Sequence, residues 1–573
     1  MRNFYYNQEL LLDIISDESL VLCASLGSGK SESVKQFIAT TKKNKILLVV
    51  NEKEAQRGYY EDLPDRIIVH NTVERGVEST TITNFKEAYA EMTDEKNILC
   101  ITKSKFNSLL IVRPNILMTF HKIIIDEANG LNPIMVSDLN MDIDKVIGNI
   151  TPLMALKSDI YYNNITEIIR FLKGIKNKYE DSEHLPFYKE DVTKELQIIA
   201  RDMLRGLRRL YEEEKIFGLK NTDIFFGMLN CIAHNSVYLG DMNIKGRKSV
   251  CMLFANTFLN EYIKSSSTTI KILDGTALNI KCLYDWLGIR VKSDYSCNNK
   301  EYPNLKIHLH RYKNLTPAKG RNNMEYTQKV VEDMVRLKRN EDILTFATLK
   351  VVTEGVLNND FDINNINYVM SGKDVGFNGF RDLTDMNIIY FQTLPQHYRM
   401  LYNRIFKGMS FEQAYSKTEL KNAEAELMGA MLCQLIGRLK IRSNNLEHVN
   451  IYCYCVSVDT LSGIVDYFKI KPTNVVLYDE IDIGIALNEV KEKDIILKLE
   501  SEMNSGVEKL VMVDWIREKF YNVKTPDKTI GNCYGNIKKD IIKLCELKGY
   551  TLVSKRGKGN KAYIEKVVNP STI

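Results

Sequence analysis

The chain has no CxxC pair, no low-complexity tract, no 20–50-residue repeat and no apolar run near the ~18 residues of a membrane span. Proline is scarce, at 11 of 573 residues, and glycine contributes only 30, which excludes collagen-like, disordered and linker-dominated chains. The opening MRNFYYNQELLLDIISDESL carries acidic residues where a signal peptide has none. Together these absences predict a soluble, cytoplasmic protein with no membrane partner. The eleven cysteines are scattered, and only Cys453 and Cys455 are spaced to share a strand face, so reduced thiols are expected in place of a disulfide framework. A large charge of one sign is also missing, since the net charge is +5. That surplus sits at one end: residues 501–573 hold 14 Lys/Arg against 8 Asp/Glu, and the other 500 residues sum to −1. A local basic surplus is an electrostatic footprint for nucleic acid, although any single lysine cluster is more often a solvated face.

What is present has the length of three or four domains. Residues 18–130 alternate short apolar runs (SLVLCAS, KILLVVN, RIIVH, NILCIT, HKIIIDE) with amphipathic stretches, the rhythm of buried parallel strands joined by helices. From 131 to 268 the periodicity becomes helical, with few strand signals. Strand-like runs return at TTIKILDG and continue through LKIHLHRY, DILTFATL, NINYVMSG, MNIIYFQTL and VNIYCYCVSV, giving a second α/β unit. Beyond 485, three helical segments precede two strand-like pieces flanking a Lys/Arg/Gly tip, as in a winged helix. The expected fold is α/β: a first lobe over 1–130 and 269–300, a helical insertion over 131–268, a second lobe over 301–484 and a winged-helix-like unit over 485–573.

ASLGSGKS, Ala24 to Ser31, lies between an apolar strand and a helical segment. It fits a phosphate loop with alanine at the first glycine position. Small residues at Gly27, Ser28 and Gly29 let successive N–H groups curl around phosphate oxygens at a helix N-terminus. Lys30 would neutralise the β- and γ-phosphates and Ser31 would ligate Mg²⁺. KIIIDEANG ends a strand in two carboxylates, where Asp126 would hold Mg²⁺ and Glu127 would activate the attacking water as general base.

These segments resemble the Walker A and DEAD/DEAH-type Walker B motifs of superfamily 2 helicases and translocases. LDGTA at 273–277 is similar to that superfamily's coupling motif, DILTFATLK at 342–350 to the strand opening its second lobe, SGKDVGFNGFRDLTDMNIIYFQTLP at 371–395 to motif V, and QLIGRLKIR at 434–442 to its QxxGRxxR arginine motif. The likeness spans about residues 1–480 and is nearest to DinG/XPD-type DNA helicases, whose arch domain is inserted where 131–268 lies. Some likeness to viral and plasmid origin-binding replication helicases also exists. The resemblance implies two RecA-like lobes closing on ATP and Mg²⁺, with Gln434, Arg438 and Arg442 supplied by the second lobe. Ile441 stands where the second arginine usually falls. Gln8 resembles the glutamine that reads adenine. Thr102, Lys103, Gly372 and Lys373 take positions that contact single-stranded DNA in the family. No iron–sulfur cluster is expected between motifs I and II, because only Cys100 lies between Ser31 and Asp126.

Lys538, Lys539 and Lys543 would line a recognition helix, and Lys555, Arg556, Lys558 and Lys561 the wing, both against DNA phosphates. His308 and His310 share a strand face but lack a third ligand nearby, so a structural role is expected. Arg201, Arg205, Arg208 and Arg209 are accompanied by Asp202 and Glu212 to Glu214, and a solvated helix face explains them as well as a DNA-facing one. The expected function is ATP-dependent movement on single-stranded or forked DNA with strand separation, in replication or repair of a phage or mobile element, with replication or repair proteins as partners. Open alternatives are a double-stranded-DNA translocase, an RNA helicase, and an ATP-dependent regulatory or helicase-loading switch with a DNA-binding winged helix.

Overall fold

The computed structural model describes residues 5–42, 44–51, 53–70, 85–127, 134–138, 159–180, 188–212, 222–244, 247–255, 257–299, 301–310, 312–313, 344–348, 366–370, 382–388, 396–409, 417–442, 448–453, 457–478, 481–521, 527–554 and 562–567. The early apolar runs form β1 (Leu20–Leu22), β2 (Ile46–Val50), β3 (Ile67–Val69), β4 (Ile98–Thr102) and β5 (Lys122–Asp126). All five residues of β2 and of β5 are buried, which is why these strands read as continuous runs and not as alternation.

The chain then leaves this sheet to make β6 (Ile134–Asp138), β7 (Tyr188–Glu190), β8 (Val237–Ile244) and β9 (Arg247–Ala255), and returns as β10 (Thr269–Leu273) and β11 (Arg290–Lys292). The first sheet is parallel, in the order β11-β1-β10-β5-β2-β4-β3. Segment 131–268 is helical over Asp159–Glu180, Lys194–Glu212, Thr222–Ala233 and Thr257–Ser265. It also carries an antiparallel sheet, β6-β9-β8-β7, that periodicity did not signal. β8 and β9 pair from Tyr238↔Leu253 to Ile244↔Arg247, so each obtains its hydrogen bonds from the other, a source of stability that single-segment patterns do not carry.

The second parallel sheet consists of β12 (Leu305–Leu309), β14 (Leu344–Thr348), β15 (Ile366–Met370), β16 (Asp385–Ile388), β17 (Val449–Cys453) and β18 (Val475–Leu477), ordered β15-β14-β16-β17-β12-β18. Two short strands, β13 (Tyr312–Lys313) and β19 (Ile481–Asp482), pair apart from it. The protein is thus α/β with two RecA-like parallel-sheet lobes. The C-terminal part has helices Ile483–Asn504, Met512–Phe520 and Asp527–Lys548 with three antiparallel strands, β20 (Lys509–Val511), β21 (Tyr550–Val553) and β22 (Tyr563–Lys566), in the order β20-β22-β21. Its core includes Ile495, Leu499, Trp515, Ile537 and Ile541.

One face of the first sheet shares a continuous core with the insertion, through Phe106, Leu110, Ile168, Leu204 and Leu229. The other face is closed by helices α1 (Gln8–Ile15) and α2 (Lys30–Thr40), through Leu10, Ile14, Val34 and Phe37. The side chain of Asn7 caps α1 by accepting from the Leu10 N–H at 3.2 Å. At its other end the buried Lys122 ammonium donates to the carbonyls of Ile14, Ile15 and Ser16 at 2.8, 2.7 and 2.9 Å. Those three bonds satisfy carbonyls that a helix C-terminus leaves bare and tie α1 to the start of β5, two strands from β1 in the sheet.

Candidate active site

The turn after β1 reverses into α2 through Gly27 (φ 77°) and Gly29 (φ 81°), both in left-handed conformations that a side chain would strain. A Cβ on Gly29 would also come within 3.3 Å of the Tyr5 carbonyl oxygen, so the N-terminal segment lies directly against the loop. The loop is held from behind by Asn298, whose Oδ1 accepts from the Ser25 N–H at 2.6 Å while its amide donates to the Cys23 carbonyl at 2.8 Å. Lys30 opens α2 and donates to the Ala24 and Ser25 carbonyls at 2.8 and 3.0 Å, keeping its ammonium inside the loop. Ala24 is buried, and the Ser28 hydroxyl is a buried polar atom without a hydrogen-bond partner among the described residues.

β5 delivers Asp126 beside the loop. The Ser31 hydroxyl donates to Asp126 Oδ2 at 3.1 Å, and the Tyr59 hydroxyl donates to the same oxygen at 2.6 Å. Asp126 Oδ1 is buried and has no hydrogen-bond partner among the described residues. Burial, and then the charge of Glu127, raise the Asp126 pKa; the Tyr59 and Ser31 hydrogen bonds and the Lys30 charge oppose that rise. A buried carboxylate with one orphaned oxygen next to a serine hydroxyl suits a divalent cation, so the residues fit Mg²⁺ held by Asp126 and Ser31.

Glu127 follows at φ 59°, left-handed backbone for a non-glycine residue. Its carboxylate oxygens accept from Arg438 Nη2 at 2.8 and 3.0 Å. Arg438 follows the second-lobe helix Lys417–Ile436 and is almost fully buried, so this ion pair crosses the cleft between the lobes. Gln434 on the same helix donates to Thr276 Oγ1 at 3.0 Å, and Thr276 in turn donates to Asp274 Oδ1 at 2.9 Å. LDGTA and QLIGR therefore meet directly. A third link runs from the Tyr467 hydroxyl to the Gly275 carbonyl at 2.9 Å. Leu26, from the phosphate loop, belongs to the second lobe's hydrophobic core, and a Cβ on Gly437 would lie 2.1 Å from Leu26 Cδ1.

The structure thus brings Ala24, Gly27, Ser28, Gly29, Lys30, Ser31, Asp126, Glu127, Gln434 and Arg438 together. Gln8 opens α1 directly after Asn7, and Asn7 lines a cavity of about 500 Å³ beside the loop together with Tyr5, Tyr6, Gly27, Ser28 and Cys297 among others. Arg442 lies in the 3₁₀ turn Lys440–Arg442, with its side chain outside the described residues. Ile441 is buried in the second lobe's core, so the position that usually holds an arginine serves packing here.

Thr102 caps the helix Lys103–Val112, accepting from the Lys105 N–H at 3.4 Å. Lys103 is buried at 2% exposure, which corrects its reading as a phosphate contact, because an ammonium enclosed by the fold does not reach a strand on the surface. Lys539 and Lys543 stand one turn apart on the exposed face of Asp527–Lys548, and Lys538 is half-buried. Gly372, Lys373, Lys555, Arg556, Lys558 and Lys561 lie outside the described residues. Arg208 donates to the Ile111 carbonyl at 2.9 Å and Arg201 to the Ala233 carbonyl at 3.1 Å, so both serve packing of the insertion. His308 stacks on Tyr452 and His310 on Tyr478, an aromatic layer across β12, β17 and β18. Sequence reasoning missed Tyr59, Asn298 and Leu26: none belongs to a motif by residue type, and each acts through a neighbour distant in sequence.

No protein-family model and no curated protein matches the chain. Among solved structures, two titled "XPD_APO" and "XPD_Helicase" align over 82% of this chain and 99% and 98% of theirs, at 14% and 13% identity and TM-scores of 0.47 and 0.46. The chain is similar to XPD helicase structures. "Structure of S. tokodaii Xpd4" aligns over 82% of this chain and 99% of its own at 14% identity, with a TM-score of 0.44.

Proposed function

We propose that the chain is an ATP- and Mg²⁺-dependent motor of superfamily 2 that couples hydrolysis to movement on single-stranded or forked DNA and separates its strands. The observation that carries this reading is the Arg438–Glu127 pair. It joins a second-lobe arginine to the carboxylate beside a phosphate loop, so the cleft between the lobes and the reacting centre are one place. Lys30 and the loop N–H groups would bind the phosphates, and Asp126 and Ser31 would hold Mg²⁺, which supplies charge neutralisation at the β- and γ-phosphates. Glu127 would orient and deprotonate the attacking water. Arg438, turning from Glu127 to the γ-phosphate, would stabilise the charge that develops there and release the base in the same movement. Hydrolysis would then require a closed cleft, the coupling a motor needs.

The three-helix, three-strand C-terminal unit supports a winged helix, with Lys538, Lys539 and Lys543 as phosphate contacts. The Gln434–Thr276 contact favours a motor over a regulatory switch, because a switch gives the second lobe no reason to read the coupling motif.

The deciding experiment is the ATPase rate with and without single-stranded DNA, duplex DNA and RNA, with Glu127→Gln as the control for contaminating activity. Stimulation of about tenfold by single-stranded DNA, or ~1.4 kcal/mol of barrier, is expected, followed by strand displacement on forked substrates. Hydrolysis that the variant loses but no nucleic acid stimulates would replace the motor with the switch. Preferential stimulation by duplex DNA or RNA would replace the substrate.

A further inference from the structure

Tyr59 lies on helix α3 (Lys53–Asp62), between β2 and β3, far from any phosphate-binding motif. It is nevertheless 3% exposed, with its ring in the core beneath α2 and its hydroxyl on Asp126. The helix that carries it is pinned next to the phosphate loop. Lys35 on α2 pairs with Asp62, at the end of α3, and with Glu32 on its own helix, both at 2.8 Å. The Lys35 ammonium also sits 5.8 Å from the Tyr59 ring centroid.

The carboxylate of Asp126 is asymmetrically served. Oδ2 accepts from both Tyr59 and Ser31, and Oδ1, which is buried, accepts no hydrogen bond among the described residues. A carboxylate bonded at one oxygen loses rotation about its Cβ–Cγ bond, and its remaining lone pairs then point one way. Ser31 is itself a residue that would hold the cation, through a hydroxyl lone pair that its donation to Asp126 leaves free. Tyr59 has no such second duty.

Resting on the nucleotide-site reading above, we infer that Tyr59 is a positioning residue for the metal-binding carboxylate, holding Asp126 so that Oδ1 faces the divalent cation. Outer-sphere hydrogen bonds of this kind set the affinity of a metal site through the orientation of its ligand. Tyr60, next in sequence, is only half-buried, and no hydrogen bond joins it to Asp126 among the described residues.

The test is Tyr59→Phe in the full chain, read by Mn²⁺ electron paramagnetic resonance titration with a non-hydrolysable ATP analogue. Mn²⁺ affinity should fall roughly tenfold. Binding of a fluorescent ATP analogue without divalent cation should stay unchanged, and the Mg²⁺ midpoint for ATPase activity should rise by the same factor. Unchanged Mn²⁺ affinity overturns the inference and leaves the motor reading standing. Wild-type protein that binds neither the analogue nor Mn²⁺ overturns both. Tyr59→His, which keeps a ring donor, is the second variant and should recover part of the affinity. Equal weakening in both variants would assign the effect to packing and overturn the positioning role.

Discussion

At the scale of single residues, the cleft stores an arrangement that nucleotide would rearrange. The Glu127 backbone is left-handed, a conformation that costs a non-glycine residue about 1–2 kcal/mol, and its carboxylate is held by Arg438 across the lobes. Glu127→Gly and Glu127→Ala remove the same ion pair, but only glycine also relieves the backbone. Glu127→Gly should therefore be about 1 kcal/mol more stable than Glu127→Ala in denaturant unfolding, with ATPase activity lost in both. Lys30→Ala should abolish hydrolysis while leaving the circular dichroism spectrum unchanged, since the ammonium donates to the Ala24 and Ser25 carbonyls of its own loop and the sheet core does not depend on it. Undiminished turnover in that variant would remove the phosphate loop from the reaction.

At the scale of elements, two junctions hold the site together. The first is the base of α1, where Lys122 and Lys271 are both buried; Lys271 donates to the Ser16 hydroxyl at 2.7 Å and to the Glu18 carbonyl. Burial and then the charge of Lys122 lower the Lys271 pKa to about 8, against the raising influence of Asp13, Glu18 and Asp17. The unfolded chain keeps that proton up to the ordinary lysine range. Between about pH 8 and 10 the unfolded state therefore binds more protons, and this group's contribution to stability rises with pH. Wild-type protein should gain about 1–3 kcal/mol relative to Lys271→Met across that window, measured by urea unfolding at several pH values.

The second junction is Leu26 against Gly437, where a phosphate-loop side chain enters the second lobe's core. Gly437→Ala should push the loop away and lower kcat tenfold or more, and adding Leu26→Ala should restore part of the loss, because two residues in contact are not additive. The exposed lysine face of Asp527–Lys548 is a separate surface, away from these junctions. Replacing Lys539 and Lys543 by alanine should weaken DNA binding and reduce the slope of log affinity against log salt by about 2.

At the scale of the whole molecule, the two lobes communicate through Arg438–Glu127, Gln434–Thr276, Tyr467–Gly275 and Leu26–Gly437, four contacts on one wall of the cleft. Gln434→Ala should leave affinity for a non-hydrolysable ATP analogue within about twofold and lower DNA-stimulated turnover by at least tenfold, since Gln434 touches the coupling motif and not the phosphate loop. Equal loss of affinity and turnover would make Gln434 a binding residue.

Much of this was legible in the sequence. Buried parallel strands advertise themselves as short apolar runs, and a phosphate loop needs small residues, a lysine and a hydroxyl in consecutive positions, so β1, β5, Gly27 to Ser31 and Asp126–Glu127 could be read directly. Local chemistry determined them. The β8–β9 sheet inside the insertion, the burial of Lys103, the packing role of Ile441, the clamp of Asn298 and the bond from Tyr59 to Asp126 were decided only when the chain folded. Apart from the β8–β9 hairpin, whose strands are adjacent in the chain, each depends on contacts with segments distant in sequence, and neither residue type nor spacing encodes which side of a helix or strand will meet which neighbour. The chain by itself therefore determined the reacting groups, and the tertiary structure decided which side chains hold them in place, because orientation is a property of packed neighbours and not of any one segment.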